Sequence, residues 1–129
     1  MTTYQKVKSA AKIITPKGED FNQLILDTMG RISAIVGATL GPGGNPVLIE
    51  RSEADLPSFV TKDGVTVYRA LGFDDSRAHA ILEAARDASI RTASEAGDGT
   101  TTATVLSEAI VRHVMAFTKA NPRISPQRV

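Results

Sequence analysis

Three glycine-containing stretches divide this chain: Thr39-Leu40-Gly41-Pro42-Gly43-Gly44, Thr61-Lys62-Asp63-Gly64 and Gly97-Asp98-Gly99-Thr100-Thr101-Thr102. A regular element passing through such runs loses stability, so each stretch marks a turn. The segments between them carry distinct periods. Phe21, Leu24, Ile25, Met29, Ile32, Ile35 and Val36 recur at three- and four-residue steps and predict an amphipathic helix over Glu19 to Thr39. Val47-Leu48-Ile49 and Ser58-Phe59-Val60-Thr61 read as the two strands of a hairpin, and Val65, Val67 and Leu71 allow a short helix before Gly72. Ala78, Ile81, Leu82, Ala85, Ala88 and Ala93 predict a helix over Ser76 to Ser94 whose small side chains permit close packing. Val105, Leu106, Ala109, Ile110, His113, Val114 and Phe117 predict another over Thr100 to Lys119, and Ser125-Pro126 has the form of a helix opening. The expected fold is mainly α, packed long helices with a small β-hairpin, and no linker or repeat divides residues 1–129.

Composition narrows the function. At 129 residues, with 42% hydrophobic and 22% charged, the chain has the make-up of one globular domain or a large piece of one. Fifteen basic residues against fourteen acidic ones leave a formal charge of +1, which gives no footprint for nucleic acid or an anionic membrane. The lack of cysteine excludes disulfides, thiol nucleophiles and thiolate metal sites. No run approaches the roughly 18 apolar residues of a spanning helix, and Met1 to Lys12 lacks the apolar core of a signal peptide; a cytoplasmic location is the expectation. The GxxxxGK[ST] and GxGxxG fingerprints and the GxSxG elbow do not occur, and His79 and His113 stand apart on separate predicted helices.

The chemistry concentrates in the turns. Gly97 and Gly99 around Asp98 let backbone approach a ligand closely, while Thr100, Thr101 and Thr102 offer hydroxyls and unpaired amides at a helix start, where an anion is favoured. Asp98 could hold a hard divalent cation, Mg²⁺ being the natural one, bridging carboxylate and phosphate. Taken singly, each turn also fits a plain structural role: a helix N-cap for Asp98 or a neighbouring Thr, a helix stop for the first stretch, and a tight turn for Lys62-Asp63-Gly64.

Taken together, and in this order, the turns resemble the group I chaperonins, the GroEL-type ring-forming foldases, whose sequences carry TLGPKGRNV, TKDGV and AGDGTTTATVL at nearly this spacing. The last motif is matched throughout by Ala96 to Leu106. The likeness runs from about Ala10 to Pro122 and covers the N-terminal part of the family's equatorial domain. It implies an ATP site with Thr39, Leu40, Gly41 and Pro42 along the nucleotide, Asp98 on Mg²⁺, Gly99, Thr100, Thr101 and Thr102 around the phosphates, and Lys62 and Asp63 opposite. It further implies that Asp63 assists hydrolysis near the γ-phosphate and that Thr39 and Lys62 give backbone oxygens to K⁺. These roles suit phosphoryl transfer, which needs charge neutralisation and a positioned water rather than a covalent nucleophile.

The departures are specific. Gly43 and Asn45 replace the family's loop Lys and Arg, Pro46 replaces its Asn, the segment Glu53 to Pro57 is longer, and Ala93-Ser94 stands where the family has Asn-Asp. The resemblance implies a homo-oligomeric ring built through an N-terminal strand near Lys6 to Lys12 and the hairpin over Val47 to Thr61. In the family, unfolded clients and the co-chaperonin bind through segments not contained in these residues, as is the second half of the nucleotide pocket. Residues 1–129 alone are therefore expected to lack hydrolysis and cage-type folding, both of which could belong to a longer parent. The rival reading is a non-enzymatic chaperonin-like assembly or interaction module.

Overall fold

The computed structural model describes residues 19–51, 55–96 and 99–129. The elements are α1 (Glu19–Gly37), β1 (Val47–Ile49), β2 (Phe59–Thr61), α2 (Gly64–Ala70), α3 (Ser76–Ala96), α4 (Thr100–Ala120) and a closing 3-10 turn over Pro126–Arg128. The mainly helical architecture with one small hairpin is the one the sequence predicts. The expected strand near Lys6 to Lys12 lies outside the described residues.

α1 ends at Gly37, two residues before its apolar period implies. Thr39 turns back on the helix: its hydroxyl donates to the Val36 carbonyl at 2.7 Å and its amide reaches the same oxygen at 3.2 Å. The Leu40 amide binds the Gly37 carbonyl at 3.0 Å, and Asn45 closes the loop on Ala38 at 2.7 Å. These bonds occupy the last carbonyls before the helical ladder can continue. At the other end of the chain, the opening suggested by Ser125-Pro126 gives a single 3-10 turn, with the Ser125 hydroxyl donating to the Gln127 side chain and accepting no backbone amide as a cap would.

The hairpin pairs Val47 with Thr61, Leu48 with Val60 and Ile49 with Phe59 in antiparallel register. Strand alternation turns Val47, Ile49 and Phe59 toward the helices and leaves Leu48 and Val60 outward. Beneath lies the core: Met29, Ile32 and Val36 from α1, Val67 and Tyr68 from α2, and Leu82 from α3. At seven residues α2 is too short to persist alone, and these two buried side chains hold it. Arg86 of α3 adds a tie by donating to the Leu71 carbonyl at the end of α2, at 2.7 Å.

α3 and α4 meet along a polar seam. The hydroxyls of Ser89 and Thr104, both buried, lie 3.2 Å apart, and Thr104 donates to the Thr100 carbonyl at 2.8 Å. α4 packs on both α1 and α3, and its apolar stripe of Leu106, Ile110, Val114 and Phe117 remains 37–57% exposed. No described helix is long and apolar enough to cross a membrane.

Candidate functional site

The fold brings the three glycine turns to one place. Thr39, Leu40 and Gly41 follow α1, Asp63, Gly64 and Val65 open α2, and Gly99, Thr100, Thr101 and Thr102 open α4; together they line a cleft of about 220 Å³. Pro42 and Lys62 adjoin it in sequence but are not among its lining residues, and Asp98 lies outside the described residues.

Two glycines make the convergence possible. A Cβ on Gly64 would overlap the Thr101 hydroxyl and come within 3.3 Å of the Thr39 hydroxyl, so α2 can start against α4 and the first loop only without a side chain there. Gly99 takes φ +100°, a left-handed conformation that a side chain disfavours, and it turns the chain into α4. It provides no side-chain cap for that helix. The amides of the first turn of α4 therefore sit beside the cleft at the positive end of the helix dipole, together with hydroxyls of the threonine run.

Asp63 is the only charged residue lining the cleft among those described. It caps α2: its carboxylate accepts the Val65 amide at 3.3 Å and the Thr66 amide at 3.2 Å. The Thr66 hydroxyl donates to the same carboxylate at 2.5 Å. This hydroxyl is the main reason the carboxyl is held below the usual range, with the two amides and Arg69 reinforcing it against a modest burial penalty. The group is an anion at neutral pH.

The cleft thus has a specific chemical character. Amides and hydroxyls suit phosphate oxygens, yet no described Lys or Arg lines it to offset phosphate charge, and Asp63 adds a negative one. A polyphosphate here requires a cation beside it, and hard oxygen donors such as a carboxylate, hydroxyls and phosphate fit Mg²⁺. Its volume is below the roughly 300–1,000 Å³ of pockets that enclose a drug-sized ligand, which suits phosphates rather than a whole nucleotide. A larger hollow of about 590 Å³ between Asn22-Gln23 of α1 and Arg112 to Lys119 of α4 has no such convergence of glycines and threonines.

Sequence reasoning missed Gly64 and Val65 as lining residues and Thr66 as the partner of Asp63. A signal for the first existed: glycine directly after a capping Asp stands at the first helical position, where Gly has no local advantage, and points to close approach by a neighbour.

Comparison with known proteins bears on the family and the fold. The TCP-1/cpn60 chaperonin family model matches residues 32–128, a span holding all three turns. The chaperonin GroEL of Orientia tsutsugamushi (strain Ikeda) is 38% identical over 97 residues, which are 75% of this chain and 17% of that protein. The GroEL of Orientia tsutsugamushi gives the same figures. Among solved structures, the chaperonin gp146 from bacteriophage EL 2 (Pseudomonas aeruginosa), crystallised in the presence of ATP-BeFx, is similar with a TM-score of 0.69 and 31% identity over 81% of this chain and 18% of its own. A second crystal form gives 0.67 and 32% over 75% and 17%. The chain spans under a fifth of the length of these relatives. With the order of the turns, the helical frame around them and the matched span in agreement, the chain belongs to the TCP-1/cpn60 chaperonin family.

Proposed function

We propose that this chain is the ATP-binding portion of a ring-forming group I chaperonin, one that assists protein folding through ATP binding and hydrolysis. The observation that carries the reading is the meeting of three separate turns in one small cleft of amides, hydroxyls and, among the described residues, a single carboxylate. In this reading the Thr100 to Thr102 turn holds phosphate oxygens, Thr39 to Pro42 run along the nucleotide, and Lys62 and Asp63 face them. Asp98 and the phosphates would hold Mg²⁺, which supplies charge neutralisation when bound; backbone oxygens of Thr39 and Lys62 would suit K⁺. Asp63, already an anion, can accept a hydrogen bond from a water near the terminal phosphate and orient it.

The assignment is tested by calorimetric titration of the protein with ATP in the presence and absence of Mg²⁺, alongside Asp98→Ala. Binding that requires Mg²⁺ and is lost in the variant is expected. Equal binding by both proteins, or none by the wild type, contradicts it.

A second reading, a non-enzymatic assembly module, is favoured by a different observation. Leu48 and Val60 are 61% and 63% exposed on a hairpin whose two edges pair with no other described strand, and edges of this kind accept partners. Both readings use the hairpin for contact between copies. Light scattering separates them: assembly that responds to ATP supports the chaperonin reading, and assembly indifferent to ATP supports the module.

A further inference from the structure

We propose that Thr66 is a positioning residue for the Asp63 carboxylate, an inference that rests on the assignment of Asp63 to the phosphate cleft. An aspartate that merely caps a helix accepts one or two backbone amides. Asp63 is braced more fully than that. Its own amide donates to the Thr61 hydroxyl at 3.0 Å, fixing the turn before the helix. Its Oδ1 accepts the Val65 amide, and its Oδ2 accepts both the amide and the hydroxyl of Thr66.

The lengths show which bond governs. The two amide bonds, at 3.2 and 3.3 Å, are at the long limit, whereas the hydroxyl bond at 2.5 Å has the length of a charge-assisted O–H···O⁻ contact. At the third helical position a capping box places a Glu or Gln that reaches back to the cap amide. Here that amide is already taken by Thr61, and the residue in that place reaches the carboxylate instead. The three donors take up both acceptor sites of Oδ2 and one of Oδ1, which leaves the second site of Oδ1 for a further donor.

Thr66 does not line the cleft itself. It lies on the wall of a separate hollow with Ile49, Phe59 and Arg69, so any influence on the cleft passes through Asp63. Valine at position 66 keeps the β-branched shape and the backbone amide but removes the hydroxyl, while serine keeps the hydroxyl.

The test compares wild type, Thr66→Val and Thr66→Ser, with far-UV circular dichroism to confirm that each is folded. Three-bond couplings to the Asp63 side-chain carboxyl carbon report its rotamer. One rotamer is expected in wild type and Thr66→Ser, and an average of several in Thr66→Val. A single rotamer retained in Thr66→Val overturns the proposal. In a longer parent that carries the second half of the nucleotide pocket, Thr66→Val is expected to lower kcat for ATP by roughly tenfold or more, with KM within about twofold, as befits a misplaced group, and Thr66→Ser is expected to restore it. Equal kcat in wild type and Thr66→Val also overturns it. A wild type that neither binds nor hydrolyses ATP removes the assignment of Asp63 to the cleft, while the coupling readout still decides what Thr66 does to the carboxylate.

Discussion

At the scale of single residues, Asp63 has two tasks that substitution can separate. Asparagine keeps one acceptor oxygen but replaces the other with an NH2 group that cannot accept, so it retains only part of the set that Oδ1 and Oδ2 take from Val65 and Thr66, whereas alanine retains none. Asp63→Ala is therefore expected to lose about 1 kcal/mol and Asp63→Asn a smaller part of that, measured by urea unfolding at neutral pH. Both variants should lose whatever the negative charge contributes in the cleft. The pH dependence follows from the same bonds. A carboxyl held below its ordinary value stabilises the fold in full above the unfolded value of about 3.9. That contribution fades as acid takes the pH down through the lower folded value. The acid limb of the wild-type stability profile should accordingly be shallower in Asp63→Asn. Tyr68 presents the opposite case: its hydroxyl is buried with no hydrogen-bond partner among the described residues, and burial pushes the phenol up, offset only in part by the nearby Ser89 and Thr104 hydroxyls. Tyr68→Phe is expected to cost no stability, since it removes a buried polar atom and keeps the ring. A loss above about 1 kcal/mol would show a hydrogen bond worth that much.

At the scale of elements, the decisive contact is the one between the starts of α2 and α4. Gly64→Ala places a methyl group on the Thr101 hydroxyl and is expected to cost about 1–3 kcal/mol, the usual range for overpacking. Because the clash is with one side chain, Gly64→Ala combined with Thr101→Ala should be less destabilising than the sum of the two single changes, a coupling that a double-mutant cycle measures. Additive losses would show that the two residues do not touch. Much at this scale was legible in the sequence. The stripes of α1, α3 and α4 and the short β-prone runs each fix a period, and the glycine turns fix where the periods stop. The early end of α1 was not legible, because it depends on the Thr39 hydroxyl choosing the Val36 carbonyl over solvent. Nor was the contact between α3 and α4: the Leu106-to-Phe117 stripe predicts a helix, while the polar pair Ser89 and Thr104 joins it to α3. Hydroxyl pairing across helices leaves no periodic trace.

At the scale of the whole molecule, core and cleft share α2 and the end of α1 but occupy different regions. Ile32, Val36, Val67, Tyr68 and Leu82 pack where α1, α2 and α3 meet, and the cleft lies where the loop after α1 and the first residues of α2 and α4 converge. Leu82→Ala should thus lower stability by about 2–5 kcal/mol, as for other fully buried leucines, with the cleft left intact in molecules that remain folded. The resemblance carried by the three ordered turns named most of the residues that converge; how closely they approach depended on Gly64, whose place after a capping Asp was the signal. The central claim is that this convergence holds phosphates with a cation, and chemical-shift mapping tests it most directly. Addition of Mg-ATP to ¹⁵N-labelled protein is expected to shift the amides of Gly41, Gly64, Gly99 and Thr100 to Thr102, with little change at Asn22, Gln23 and Lys119 around the larger hollow. Shifts centred on that hollow, or none in the three turns at millimolar Mg-ATP, would contradict the account.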